Sequence, residues 1–265
     1  MATGTALVLM YHQIVPDEAS AGWVPGALAD PRYGVRLSRF RAQMDLIVSR
    51  GMRVISLVDL IESRLPSSSS GPSVVLTFDD GYGSDWHFAA PILKERGFPA
   101  TFFLATDHLG LSGMMTPEDA RVLASNPLFT LGSHGGSHRF LPDLPPRERL
   151  EEFARSREAI RLLSGKDPVD LSAPGGRISE TVRKDARDAG FRSLSTSKPG
   201  IFETGTDPFS IPRLPVLHRH SLPAFEALLD PDSIAFRVDA AVRLGKNALR
   251  AMARIRNRTA GKGAR

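Results

Sequence analysis

Val75-Leu76-Thr77-Phe78-Asp79-Asp80-Gly81-Tyr82 (VLTFDDGY) is an apolar run that ends on two adjacent carboxylates. Side chains alternate between the two faces of a strand, so a strand continuing through both acids drives one of them into a core. An unpaired buried carboxylate costs several kcal/mol, so the strand is expected to end here and turn both acids toward a partner. Gly81 permits the turn, because it accepts backbone angles that other residues resist.

Outward from this stretch, short apolar runs alternate with amphipathic ones. Strands are predicted at 6–10, 53–56, 74–78, 100–105, 129–132, 169–172, 192–195 and 209–217. Helices are predicted at 38–49, 57–63, 84–96, 117–124, 146–164, 179–189 and 222–229. The first helix places Phe40, Met44 and Ile47 on one face, with Ser38 as its N-cap and Gly51 as its stop. Strands alternating with helices imply parallel pairing through crossovers. About seven such units suit a distorted α/β barrel of the (β/α) kind, whose functional groups gather at the C-terminal ends of the strands.

Two long segments break the rhythm. Residues 12–35 are rich in Pro, Gly and Ala and carry Trp23 and Tyr33; a loop of this length in a compact domain is expected to be a functional lid or disordered. The other begins near 233, where a mixed apolar and basic helix is expected to about 256. The chain therefore divides into a barrel domain over 1–232 and a basic helix and tail over 233–265. The stretch PSSSSGP at 66–72 reads as a flexible surface connection.

Of 265 residues, 42% are hydrophobic and 24% charged, as in a soluble globular protein with a sizeable core. There is no cysteine, which excludes disulfides and thiolate ligands; any metal must be held by His, Asp or Glu. Residues 237–265 hold nine Lys or Arg and one Asp, net +8 of a chain total of +5, so the remainder carries −3. A mildly acidic body does not support nucleic-acid binding. The tail is read first as a solvated helix face, with peripheral contact to anionic lipid or acidic glycan left open. With no basic leader and no apolar stretch of membrane-spanning length, a cytoplasmic protein is expected.

Four predicted strands end on groups that carry chemistry. VVLTF is followed by Asp79 and Asp80, FTLGS by His134 and His138, LVLMY by His12, and VDLSA by Pro174, Gly175 and Gly176. An HxxxH pair alone is a weak signal, and an Asp-Asp pair is common in turns. Together they provide an open site in which two imidazoles and one carboxylate hold an ion. The second carboxylate is then free to act as a base on a water acidified by that ion.

TFDDGY, HGGSH and APGG, in this order on a β/α repeat, resemble the polysaccharide deacetylase family, carbohydrate esterase family 4, over roughly 6–229. The resemblance implies a distorted (β/α) barrel that removes acetyl groups from N-acetylated sugars with a divalent metal, zinc foremost, with cobalt, nickel and manganese as options. By the same resemblance Asp79 is the catalytic base and Asp80, His134 and His138 are the metal ligands. The Pro174-Gly175 turn supplies a backbone N–H to the oxyanion. The expected partner is an N-acetylated sugar, oligosaccharide, polysaccharide or glycolipid precursor.

Two departures from the family pattern stand out. Ser172 occupies the position of an Arg that orients the base, and Arg213 or Arg177 are the candidates to replace it. The proton donor comes either from Leu217-His218-Arg219-His220 or, as in circularly permuted members, from His12 at the end of the first strand; His12 is favoured by its strand-end position. His87 and His108 read as surface imidazoles. Trp23, Tyr33, Tyr82 and Trp86 are candidate sugar-stacking walls, with ordinary packing favoured for Trp86. Two rival functions remain: an amidohydrolase acting on small non-sugar amides with the same site, and a glycan-binding barrel without catalysis, motivated by Ser172.

Overall fold

The computed structural model describes residues 4–18, 24–62 and 71–233. Trp23, most of the 66–72 connection and the predicted basic helix and tail lie outside the described residues. In chain order the strands and helices are β1 (Thr5–Tyr11), β2 (Ile14–Val15), β3 (Val35–Arg36), α1 (Leu37–Ser49), α2 (Leu57–Ile61), β4 (Ser73–Asp80), α3 (Ala90–Glu95), β5 (Ala100–Leu104), α4 (Pro117–Ser125), β6 (Phe129–Ser133), α5 (Pro146–Ser164), β7 (Asp170–Ser172), α6 (Glu180–Asp188), β8 (Ser193–Ser195), β9 (Phe202–Glu203), β10 (Leu214–Pro215) and α7 (Leu222–Leu228).

Seven parallel strands curl in the order β10-β1-β4-β5-β6-β7-β8, and β9 adds to β1 antiparallel. The ends approach closure through the segment leading into β10. A single parallel bridge joins Ser195 to Ile211, and Val216 N–H reaches Met10 O at 2.9 Å. The expected distorted barrel is therefore a curled half-barrel whose seam is the 211–216 segment.

The continuous apolar runs of β1 and β4 follow from burial on both faces of a parallel sheet. One face of these strands, Leu7, Leu9, Tyr11, Val74, Leu76 and Phe78, packs against helices with Phe40, Met44 and Ile47 of α1. The other face, Ala6, Val8 and Val75, packs with Phe103 and Ile211 inside the curl. Farther along the inner face come Thr77 and Asp79, which share the parity of Val75. That parity decides where the base candidate points.

Several boundaries depart from the sequence reading. The strand expected to stop before the acids runs through both of them, to Asp80. Asp79 keeps the strand geometry because its inward direction meets a cation, whereas Asp80 takes a left-handed φ of 82° that breaks the alternation. Ser38 does not cap α1; Asp17, far along the chain, binds the Ser38 N–H at 2.9 Å and its hydroxyl at 2.6 Å. The 53–56 strand shrinks to one bridge, Val54 to Val74, and the 209–217 strand to β10 preceded by a 3-10 turn at Pro208–Ser210. Prolines at 208, 212 and 215 remove the amide donors a longer ladder needs. The 84–96 helix begins as a π-helical turn over Asp85–Ala89 before α3.

Candidate active site

Asp79 sits on the inner face of β4 and is 2% exposed. Arg213, fully buried, approaches from the seam and grips it with two hydrogen bonds of 2.7 Å, Nη1 to Oδ1 and Nη2 to Oδ2. The guanidinium is itself held: Nε donates to Thr196 O at 2.8 Å, Nη1 to Thr77 Oγ1 at 3.2 Å and Nη2 to Ser172 Oγ at 2.8 Å. Ser172 Oγ donates to Asp79 Oδ2 at 3.2 Å. Ser172 and Arg213 thus divide the task of orienting one carboxylate. Burial works to raise the Asp79 pKa, but Arg213 and His134 outweigh it and leave the carboxyl below its usual range. Arg177, the other candidate, instead pairs with Asp143 through bonds of 2.5 and 2.7 Å.

Asp80 faces two imidazoles. Its Oδ1 lies 3.3 Å from His134 Nε2 and 3.2 Å from His138 Nε2, and the three donor atoms lie within 4.8 Å of one another. His134 follows β6, its amide bound to Leu104 O at 2.8 Å, and its Nδ1 lies 2.9 Å from Ser172 O. A proton on Nδ1 against that carbonyl leaves the Nε2 lone pair toward Asp80. Asp80 Oδ1 is buried without an aligned hydrogen bond. Ligands at 2.0–2.1 Å around a four-coordinate ion stand roughly 3.3 Å apart, so this donor set fits one divalent cation. Burial opposes charge on His134, yet Asp79 and Asp80 raise its pKa, and the same field favours a cation. Burial also opposes charge on Asp80, but the His134 and His138 imidazoles beside it hold it well below the carboxylate range.

A carboxylate the sequence reading missed shapes this loop. Glu152 of α5 is 4% exposed and accepts the amides of Gly136 and Ser137 on Oε2, both at 2.8 Å, and the Ser137 hydroxyl on Oε1 at 2.8 Å. Arg155 bridges Glu152, at 2.5 Å, to Asp107, at 3.0 Å. Inside an Arg- and Glu-rich helix, nothing in the local sequence separates Glu152 from its solvated neighbours.

His12 follows β1, and its ring lies against that of Tyr33, tilted by 34° with centroids 4.2 Å apart. Its Nδ1 is buried without a partner. Burial lowers the His12 pKa against the pull of Asp80 and Asp79. His218 is exposed beside the Arg32 carbonyl, and His220 turns its Nδ1 back to the Leu217 N–H at 3.2 Å. Asp79 and Asp80 both feel the charge of His12. Gly175 has φ 63° and Gly176 φ 66°; a Cβ on Gly176 would stand 1.6 Å from Ser197 Oγ, so only glycine fits this turn.

Of the proposed aromatic walls, Tyr82 is 1% exposed, a core residue rather than a sugar platform. Its phenol is pushed up by burial and by neighbouring Asp80. Trp86 packs against the main core, as favoured from its place on the helix. His87 is exposed, whereas His108 stands beside the site, its ring 6.4 Å from that of His138.

The fold and site define a parallel half-barrel in which, among the described residues, an acid–imidazole cluster with the donors to hold a cation stands beside an Arg-held carboxylate at the C-terminal strand ends. Residues 67–194 match the polysaccharide deacetylase family model. YxkH of Bacillus subtilis (strain 168), named provisionally as a polysaccharide deacetylase, is 27% identical over 227 residues, spanning 84% of this chain and 75% of its own. The poly-β-1,6-N-acetyl-D-glucosamine N-deacetylase of Staphylococcus epidermidis is 23% identical over 242 residues, 85% of this chain and 82% of that protein. Among solved structures, the Streptococcus pyogenes deacetylase PplD superposes with a TM-score of 0.74 at 20% identity, over 86% of this chain and 100% of that one. IcaB from Ammonifex degensii gives 0.70 at 24% identity, over 83% and 94%. The chain thus carries a stretch, residues 67–194, that matches the polysaccharide deacetylase family, and relatives named as deacetylases align with it over most of its length.

Proposed function

We propose that the protein is a metal-dependent N-deacetylase acting on a glycan built from N-acetylhexosamine units. The observation that carries this reading is the convergence of Asp80 Oδ1 with Nε2 of His134 and His138 next to an Arg-held Asp79. The name of the Staphylococcus epidermidis relative supports a poly-N-acetylglucosamine type of substrate.

A divalent cation held by Asp80, His134 and His138, zinc foremost, would supply Lewis acidity that lowers the pKa of a water and polarises the acetamide carbonyl. Asp79, kept ionised and fixed in direction by Arg213, takes the proton of the attacking water. The Gly175 N–H receives the carbonyl oxygen as it gains negative charge, a contribution of about 3 kcal/mol. His12 returns a proton to the departing amine. The burial that lowers its pKa makes its protonated form a readier donor. The Ser172 departure no longer favours a non-catalytic barrel, because Ser172 and Arg213 together hold the base.

Metal analysis of the purified protein beside acetate release from a panel of acetylated glycans tests this. Asp80→Ala is expected to lose both bound metal and turnover. Asp79→Asn is expected to keep the metal and lose on the order of 10²- to 10⁴-fold in kcat. His12→Ala should lose turnover and His218→Ala should retain it. The opposite pattern in the two His variants would reassign the proton donor.

A further inference from the structure

We propose that Phe140, framed by Arg177 and Asp143, is a platform for a pyranose ring neighbouring the one being deacetylated. Phe140 lies two residues beyond His138 and is 41% exposed, although Leu141 beside it is fully buried. The ring edge packs so closely on the Gly175 turn that a Cβ on Gly175 would stand 2.7 Å from Phe140 Cε1. Phe140 is thus fixed between a candidate metal ligand and the candidate oxyanion donor, and the cost of exposing it falls at the mouth of the site.

Its polar frame is built too. The Arg177 guanidinium lies 4.6 Å from the ring centroid and covers one side of it. Asp143 holds that guanidinium with two hydrogen bonds and is followed in chain order by the buried Leu144. The Arg177 and Asp143 side chains remain 23% and 40% exposed. A pyranose has an apolar C–H face and a rim of hydroxyls. An aromatic plane with planar charged groups beside it matches both, placing apolar contact at the centre and hydrogen-bonding groups at the edge. Leu162, more exposed at 65%, has no comparable surroundings: it lies on the charged face of α5, away from the strand ends.

This inference rests on the glycan deacetylase reading, and the test separates the two. Full-length wild type, Phe140→Ala, Phe140→Leu and Phe140→Tyr are compared for acetate release from an N-acetylglucosamine pentamer and from the monomer, with thermal unfolding as the fold control. In Phe140→Ala and Phe140→Leu, KM for the pentamer should rise about three- to tenfold, and the pentamer's kcat/KM advantage over the monomer should shrink by that factor. Phe140→Tyr, which keeps the aromatic plane, should preserve the advantage. An unchanged ratio in Phe140→Ala overturns the platform alone. So does an equal loss on both substrates, which would mean the ring only braces the Gly175 turn. A wild type that releases acetate from neither substrate overturns the platform together with the reading beneath it.

Discussion

Asp79 and Asp80 are sequence neighbours with opposite surroundings. Asp79 meets a bidentate guanidinium; Asp80, turned by its left-handed backbone, meets two imidazoles. Their candidacy as a functional pair was legible because the acids and the HxxxH spacing are local patterns. The choice between Arg213 and Arg177 was not, because Arg213 lies 134 residues from Asp79 and only the sheet seam joins them. Arg213→Ala is expected to cost about 3–5 kcal/mol in unfolding free energy, since it leaves a carboxylate buried and unpaired. Arg213→Lys keeps the charge but not the fork, and should lose more activity than stability. Thermal unfolding and acetate release read the two variants; a stable, fully active Arg213→Ala would remove Arg213 from the site.

Among the elements, strands and helices were legible where hydrophobic periodicity is strong, as in α6 and α4, and α1 buries Phe40, Met44 and Ile47 as expected. Periodicity does not show which polar residue on a helix turns inward, and Glu152 is the instance that matters. Glu152→Ala should weaken metal binding roughly 10- to 100-fold, because the loop between His134 and His138 loses its acceptors. Competition with a chelator measures this. Burial alone would raise the Glu152 pKa, but the Ser137 amide and hydroxyl and Arg155 outweigh it and lower the value. A depressed folded pKa means that the clamp's stabilisation is present above the unfolded carboxyl value of about 4.3 and is lost as pH falls through the lower folded value. Hydrogen-exchange protection at Gly136 and Ser137 should therefore drop on acidification in wild type, and Glu152→Gln should remove that pH dependence. Equal pH profiles in the two proteins would count against the clamp.

At the scale of the molecule, the 211–216 segment brings the β8 edge toward β1 and carries Arg213 into the interior. A chain ending after Ser233 retains that seam and α7, so it should unfold cooperatively and release acetate as the full chain does. One ending at Gly200 lacks β9, β10 and Arg213, and should lose cooperative unfolding, as followed by calorimetry and circular dichroism. If the longer truncate failed as well, the division of the chain near 232 would be wrong. No helix among the described residues is long and apolar enough to cross a membrane.

Taken alone, the sequence determined the β/α rhythm, the acid pair, the two imidazoles and the glycine turn, because each is written in residues adjacent along the chain or repeating at a fixed period. The tertiary structure decided which arginine holds Asp79, which histidine the acids feel, that Tyr82 is core, and that Glu152 and Phe140 border the candidate site. Those outcomes depend on how the sheet curls and which side chains it brings face to face across tens to more than a hundred residues. No local pattern records such distances, and burial beside an opposite charge is a property of the packed chain.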